Sequence, residues 1–277
     1  MQTETTTSTL LPYLSTLSNA RCAVAVGGAH AKGGADTGSD LDFHIILENP
    51  KIHAEIVSIL TPAADDGSLF VSEDFEGAPY GGVIEFRYKG TPVEITVQTL
   101  AFVERRVEAC LEGKFEIIPQ TWTSNGYYTF MTLSELDYIM PIFDPDGMIA
   151  GFKEKVREYP EKLGKAIIGR FYSRVSTWLE NFHYDSAIDR GDILFTAPIV
   201  LHTMLDMVQV IYALNRQYFR GDKKLIAGLS ELEYCPVAFL EKAEFLLCAS
   251  SDVGILREQR DILRGIRDEL RGRMGQR

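Results

Sequence analysis

The sequence predicts a mixed α/β unit followed by a helical one. Three observations carry that prediction. Strand-like alternation is confined to the first half, where a glycine-rich loop joins two apolar strands. From Leu163 onward the apolar residues recur at helical spacing. Between the two, Asp144-Pro-Asp-Gly147 is a strong turn signal and sets the expected boundary, with domains at 1–147 and 148–277. At 277 residues, 45% hydrophobic and 24% charged, the chain can bury a real core in one large domain or two medium ones.

The Thr-rich start is followed by a short helix expected at 10–17, and the first strand is Cys22-Ala-Val-Ala-Val26. It enters the loop Gly27–Gly38, and a second strand runs from Ser39 to Leu47. A helix is expected from Pro50 to Leu60. Strands at Gly82–Tyr88 and Pro92–Gln98 flank Lys89-Gly90-Thr91, a hairpin connection in which glycine accepts positive φ. Residues 100–112 and 132–140 read as helices. Further helices are expected at Leu163–Phe182, Ile193–Phe219, Pro236–Ala249 and a last one capped by Ser251, with no strand after residue 150.

Composition narrows the function classes. The net charge is −11, so the global field gives nucleic acid no help and none is expected as a partner. The four cysteines, Cys22, Cys110, Cys235 and Cys248, show no CxxC or zinc spacing and read as buried thiols in a reducing compartment. No apolar run approaches the roughly 20 residues of a bilayer span, and no basic-then-apolar leader opens the chain. A cytoplasmic location without membrane partners is the expectation.

The chemistry sits in Val24-Ala-Val-Gly-Gly28, eleven residues, then Asp40-Leu-Asp42. Gly27 and Gly28 lack side chains, which lets backbone N–H groups approach an anion. Asp40 and Asp42, two apart on a strand, point to one face. Paired carboxylates repel, and a divalent cation such as Mg²⁺ relieves them. A third acid on a neighbouring strand would complete the site. Glu94 stands with Thr96 and Gln98 opposite the apolar face of Val93, Ile95 and Val97; Glu85 is the competing choice. A phosphate-holding turn beside such acids suits phosphoryl or nucleotidyl transfer.

Val26-Gly27-Gly28, Asp40-x-Asp42 and Glu94 resemble the motif of the nucleotidyltransferase superfamily typified by DNA polymerase beta, over about residues 20–100. Arg190-Gly-Asp192, Ala213–Phe219 and Gly221-Asp-Lys-Lys224 resemble the helical domain that follows the minimal catalytic domain in aminoglycoside and lincosamide adenylyltransferases. The resemblance implies a mixed-sheet nucleotidyltransferase domain followed by an all-α bundle. It implies two Mg²⁺ ions on Asp40, Asp42 and Glu94, with Gly27, Gly28 and Ser39 holding the β- and γ-phosphates of a nucleoside triphosphate, ATP being the first choice. Lys223 or Lys224 would meet the triphosphate, and Asn215 and Tyr218 the cleft wall. Glu94 or a metal-bound water would help deprotonate the acceptor hydroxyl of a small molecule, an antibiotic being the best single guess, and pyrophosphate would leave. The alternatives are transfer to a protein or RNA, a non-catalytic nucleotide-binding or antitoxin-like module, and a metal-dependent phosphohydrolase using Asp40, Asp42 and His44.

Other features have plainer readings. The loop is not a Walker A, since no Gly-Lys-Ser/Thr ends it. Lys32 reads as a solvated loop lysine or a phosphate ligand, and His44 as a satisfied strand histidine. The aromatics Trp122, Tyr127, Tyr128 and Trp178 suit a pocket or a core equally. The arginine-rich stretch Arg257–Arg277, interleaved with Glu258, Asp261, Asp268 and Glu269, reads as a solvated helix face with i,i+3 and i,i+4 pairs.

Overall fold

The computed structural model describes residues 21–36, 38–75, 77–120, 123 and 125–275. The helix expected at 10–17, and Trp122, lie outside the described residues. Two compact units form, and they do not divide at residue 147. The first takes the chain through Cys110 together with Tyr128–Glu158, and the second takes Leu111–Tyr127 and the chain from Tyr159 onward. The turn at Asp144–Gly147 lies inside the first unit: Gly147, at φ 67, opens a helix, and the Asp144 carboxylate accepts the Ala150 N–H at 2.9 Å.

The strands are β1 (Cys22–Val26), β2 (Leu41–Leu47), β3 (Phe70–Ser72), β4 (Gly82–Tyr88), β5 (Thr91–Thr99), β6 (Ile117–Ile118), β7 (Tyr127–Tyr128) and β8 (Met140–Phe143). The first unit's sheet has the order β3-β4-β5-β2-β1-β8. Neighbours are antiparallel except β2 and β5, which run parallel. Its helices are α1 (Gly28–Ala31), α2 (His53–Leu60), α3 (Leu100–Leu111, whose last residue begins the second unit), α4 (Met131–Tyr138) and α5 (Met148–Val156).

Alternation sorts the sheet into two faces. Val24, Val26, Phe43, Ile45, Ile84, Phe86, Val93, Ile95 and Val97 pack with Ile56 and Leu60 of α2 in one core. Truncating fully buried Ile95 to Ala would cost about 2–5 kcal/mol. The opposite face carries Asp42, His44, Glu85 and Glu94. The β4–β5 hairpin turns through Lys89 and Gly90, at φ 50 and 81, as a two-residue turn of positive φ requires. The Asp65 carboxylate accepts both turn N–H groups, at 3.0 and 2.8 Å, and so holds Lys89 in that conformation.

Edge strand β8 replaces the end of the helix expected at 132–140. Its Pro141 hides the strand in the sequence, because proline is confined to strand edges and ends; it lies opposite Ala25 of β1.

Among the described residues, the second unit is helical apart from β6 and the first residue of β7, in a stretch the sequence assigned to the first domain. Its helices are α6 (Glu161–Leu179), α7 (Phe182–Asp189), α8 (Ile193–Leu214), α9 (Leu225–Ser230), α10 (Val237–Leu247) and α11 (Val253–Met274). The helix expected at 163–182 breaks at Asn181, whose side chain accepts the His183 N–H and starts α7. Asp252, rather than Ser251, caps α11 through the Ile255 N–H at 3.0 Å.

Helix α8 packs against α6, α7, α10 and α11. By length and composition it could cross a membrane, at mean hydropathy 1.6, although His202, Thr203, Asp206 and Gln209 interrupt its apolar run. More than half of that apolar window is buried inside the protein, as in the central helix of a bundle. The arginines of α11 are not merely solvated. Arg257 reaches Asp189 at 2.7 Å, Arg260 and Arg264 reach Asp185 at 2.8 and 3.2 Å, and Arg267 reaches Glu180 at 3.2 Å. They bind helix to helix because their three- and four-residue spacing forms one stripe facing α7 and the end of α6. Cys22 and Cys110 are buried, as expected, but Cys248 is exposed, and all four thiols are free.

Candidate active site

Sheet register assembles the acids. Parallel pairing sets Asp42 of β2 opposite Glu94 of β5, and antiparallel pairing sets Glu94 opposite Glu85 of β4. Three carboxylates therefore form a row across adjacent strands, which lie about 4.8 Å apart. Asp40 precedes β2 by one residue and shares Asp42's side by alternation. Glu94 is the immediate neighbour of Asp42, and Glu85 stands one strand further out. Glu94 and Glu85 are both exposed, and Asp40 and Asp42 are half-buried.

The two glycines lie against this row. A Cβ on Gly28 would fall on the Asp42 carboxylate, and one on Gly27 would fall on the His44 imidazole. Gly28 also sits at φ +53, where side chains are strained. The Gly27 N–H donates to the Asp42 carbonyl at 2.8 Å, so that donor is engaged within the protein. The pair supplies close approach: bare backbone over the acid and the imidazole. His44 sits between Ala25 and Thr96 on the neighbouring strands, small residues that leave room for its ring. Burial pushes its pKa down to about 4, and the Lys32 charge adds to this, so the ring is neutral.

Other groups join from outside the sheet. Lys32, the C-cap of α1, holds its ammonium 4.5 Å from the centroid of the Tyr138 ring on α4. Glu135, one turn earlier on α4, has its carboxyl raised to about 7 by burial and by Glu94, against the opposing charges of Lys32 and Arg106. The Arg106 guanidinium lies over the Phe102 ring at 4.5 Å. Tyr80 has its hydroxyl raised by burial first and then by the charges of Glu94, Glu85 and Asp74. Its carbonyl accepts the Gln98 amide at 2.9 Å. Sequence reasoning missed Glu135 and Tyr80. The available signal for Glu135 was an acid set between Leu133 and Leu136 in a segment read as a helix.

The remaining expected site residues stand elsewhere or are already engaged. Ser39 accepts the Asp36 N–H at 2.9 Å and donates to the Asp36 carboxylate at 3.2 Å, closing the loop on itself. In the second unit, Asn215 donates to the carbonyls of Ile211 and Tyr234 at 2.8 and 2.7 Å and accepts the Tyr234 N–H at 2.9 Å. Its amide ends α8 and braces the 234 loop, which uses the groups a cleft wall would need. Tyr218 is buried against the Tyr159 ring, at 5.1 Å between centroids. Lys223 and Lys224 are exposed just before α9. His202 bonds Asn125 at 3.1 Å.

Carboxylate oxygens alone make a donor set suited to a hard divalent cation. Among the described residues, no three His, Cys, Asp or Glu side chains already converge as a ligand set. Register sets Asp42 and Glu94 on adjacent strands, with Asp40 one residue before β2.

A family model described as a domain of unknown function (DUF4037) matches residues 132–224. That stretch includes Glu135 and Tyr138 but none of Asp40, Asp42 or Glu94. No protein with a curated description matches the chain. Among solved structures, a nucleotidyltransferase-like protein from Exiguobacterium sibiricum 255-15 is similar at 9% identity and a TM-score of 0.47, over 90% of this chain and 69% of that one.

Proposed function

We propose that this protein transfers a nucleoside monophosphate from a nucleoside triphosphate, ATP by preference, to a hydroxyl of a small molecule. The observation that carries the reading is the in-register pair Asp42 and Glu94 with Gly28 laid directly on Asp42. Such a site admits a phosphate chain alongside clustered carboxylates. Asp40, Asp42 and Glu94 would hold Mg²⁺, which when bound offsets the charge of the phosphate oxygens and of the departing pyrophosphate. Glu94, exposed at the row's centre, is placed to take the proton from the acceptor hydroxyl. That oxygen attacks the α-phosphorus, the bond from it to the β-phosphate bridging oxygen breaks, and pyrophosphate leaves in line. Neutral His44 supports the turn from beneath and is placed as packing rather than as a ligand. An antibiotic is the first acceptor to screen.

Calorimetric titration of the four nucleoside triphosphates, with and without Mg²⁺, tests this. Mg²⁺-dependent binding by the wild type, lost in Asp40→Ala/Asp42→Ala, is the expected result. Binding that survives the double substitution, or none at all, removes the reading; phosphate release without an acceptor would favour a phosphohydrolase.

A further inference from the structure

Helix α8 is the apolar centre of the second unit, yet it buries Thr203 and Asp206 at 0% exposure and Gln209 at 2%. Among the described residues, the Thr203 hydroxyl, both Asp206 carboxylate oxygens and the Gln209 carbonyl oxygen have no hydrogen-bond partner. At 3.6 residues per turn, Thr203 and Gln209 flank Asp206 by about 60° on either side, so the four oxygens lie along one stripe about 9 Å long. Comparable groups elsewhere in the chain are satisfied. Thr61, Thr177 and Thr196 each donate to the carbonyl four residues back, at 2.7, 2.9 and 3.0 Å; Thr203 does not. The buried amide of Gln259 donates to the carbonyls of Phe245, Leu246 and Cys248.

The charged groups facing the stripe do not fill this need. Arg174 of α6 brings its Nε to 3.1 Å from Asp206 Oδ2, but off the line of a hydrogen bond. Its side chain is 37% exposed, so it reaches from the surface to the buried acid. Arg170, one turn earlier on α6, adds a second positive charge. Buried polar atoms without partners are rare and costly, and four on one stripe call for a ligand that can donate. Two nearby guanidinium charges disfavour a metal cation, and side chains so fully buried suit nothing larger than water. Burial raises the Asp206 carboxyl to about 7 against the two arginine charges. Both forms therefore occur near neutral pH, and water can donate to one and accept from the other.

We propose that the second unit holds ordered water on Thr203, Asp206 and Gln209 of α8, an internal hydrated site whose outer side is Arg174. Such water fixes the register of α8 against α6, because sliding either helix would strand the carboxylate. The site is independent of the nucleotidyl-transfer reading.

The test counts long-lived waters in the full chain by oxygen-17 relaxation dispersion and pairs that count with thermal melts, for wild type, Thr203→Val, Thr203→Ser, Gln209→Met and Thr196→Val. Valine has the shape of threonine without its hydroxyl, so the hydrated and dry cases differ in sign. If the hydroxyl binds water, Thr203→Val should lower the melting temperature by about 2–4 °C and the count by at least one. Gln209→Met should also lower the count, and Thr203→Ser should keep it. Thr196→Val is the control: it loses a hydrogen bond and melts earlier with the count unchanged. A count unchanged in both Thr203→Val and Gln209→Met overturns the proposal, and a raised melting temperature in Thr203→Val would then mean that its hydroxyl is buried dry. An equal fall in count for Thr196→Val also overturns it, because the waters lost would not be those of the stripe. A melting temperature that differs between Na⁺ and K⁺ at fixed ionic strength, with the difference lost in Thr203→Val, makes the occupant a cation and overturns it as well.

Discussion

The two units use acids in opposite ways. In the second, acids meet arginines. Asp185 lies between Arg260 and Arg264; burial alone would raise its carboxyl, but those two guanidinium groups outweigh burial and hold it below its usual range. Arg264 also donates to the Leu179 carbonyl, at 2.7 Å, fastening α11 to the end of α6. In the first unit, Asp42, Glu94 and Glu85 stand side by side, where mutual repulsion opposes folding. Arginine-paired acids join helices in the second unit, whereas register in the first unit sets carboxylates next to one another. The pair Arg174 and Asp206 lies between these extremes: the contact is 3.1 Å, yet burial dominates and raises Asp206 to about 7.

The contrast predicts where substitutions separate function from stability. The largest effect is expected for Asp42→Asn, which should lower nucleotide turnover about a hundredfold or more while the melting temperature holds or rises. A melting temperature that falls instead would mean the carboxylate is structural and would erase the contrast. Gly28→Ala comes next. Its Cβ falls on Asp42 at a positive φ, so a stability loss of about 1–3 kcal/mol is expected by denaturant titration, together with loss of nucleotide binding.

Asp206→Asn tests the intermediate case through pH. The folded carboxyl is raised to about 7, above its unfolded value, so the native state holds a proton that the unfolded chain has released. Stability contributed by this group is therefore lost as pH rises from about 4 to about 7. Thermal melts across that range should show the decline in wild type and a shallower one in Asp206→Asn. A parallel decline in both proteins would place the titration elsewhere. The smallest effect belongs to Arg257→Ala, whose exposed pair with Asp189 should be worth no more than about 1 kcal/mol. A larger loss would show that the whole α11 stripe acts as one network.

How much was legible follows the same division. The strands of the site were readable because Val24-Ala-Val26, Leu41–Leu47 and Val93–Val97 are apolar runs or alternate cleanly, and alternation fixes which residues share a face. The Asp–x–Asp spacing put two acids together without any structure. Register was not readable: that Glu94, rather than Glu85, lies next to Asp42 depends on a parallel pairing between distant segments. Nor was Glu135, delivered by a helix whose packing the sequence does not state. Asn215 shows what a resemblance alone leaves out. The resemblance assigned it to a cleft wall, whereas its side chain makes three hydrogen bonds, to Ile211 and Tyr234. The unit boundary failed for a related reason, because a turn signal such as Asp144–Gly147 reports a bend in the chain and says nothing about which side of it packs with what.

The parallel pairing of β2 with β5 has a kinetic meaning. Every other strand pair involving β2 or β5 is antiparallel, and the β4–β5 hairpin can zip from its Lys89–Gly90 turn within microseconds once collapse begins. Asp42 meets Glu94 only after about fifty residues of intervening chain have been drawn into a closed loop, the slow, entropy-opposed step of such topologies. The acidic row is thus a late product of folding. A nascent or partly unfolded chain would present Glu85 and Glu94 on a hairpin but never the assembled row, which arrives together with the completed sheet.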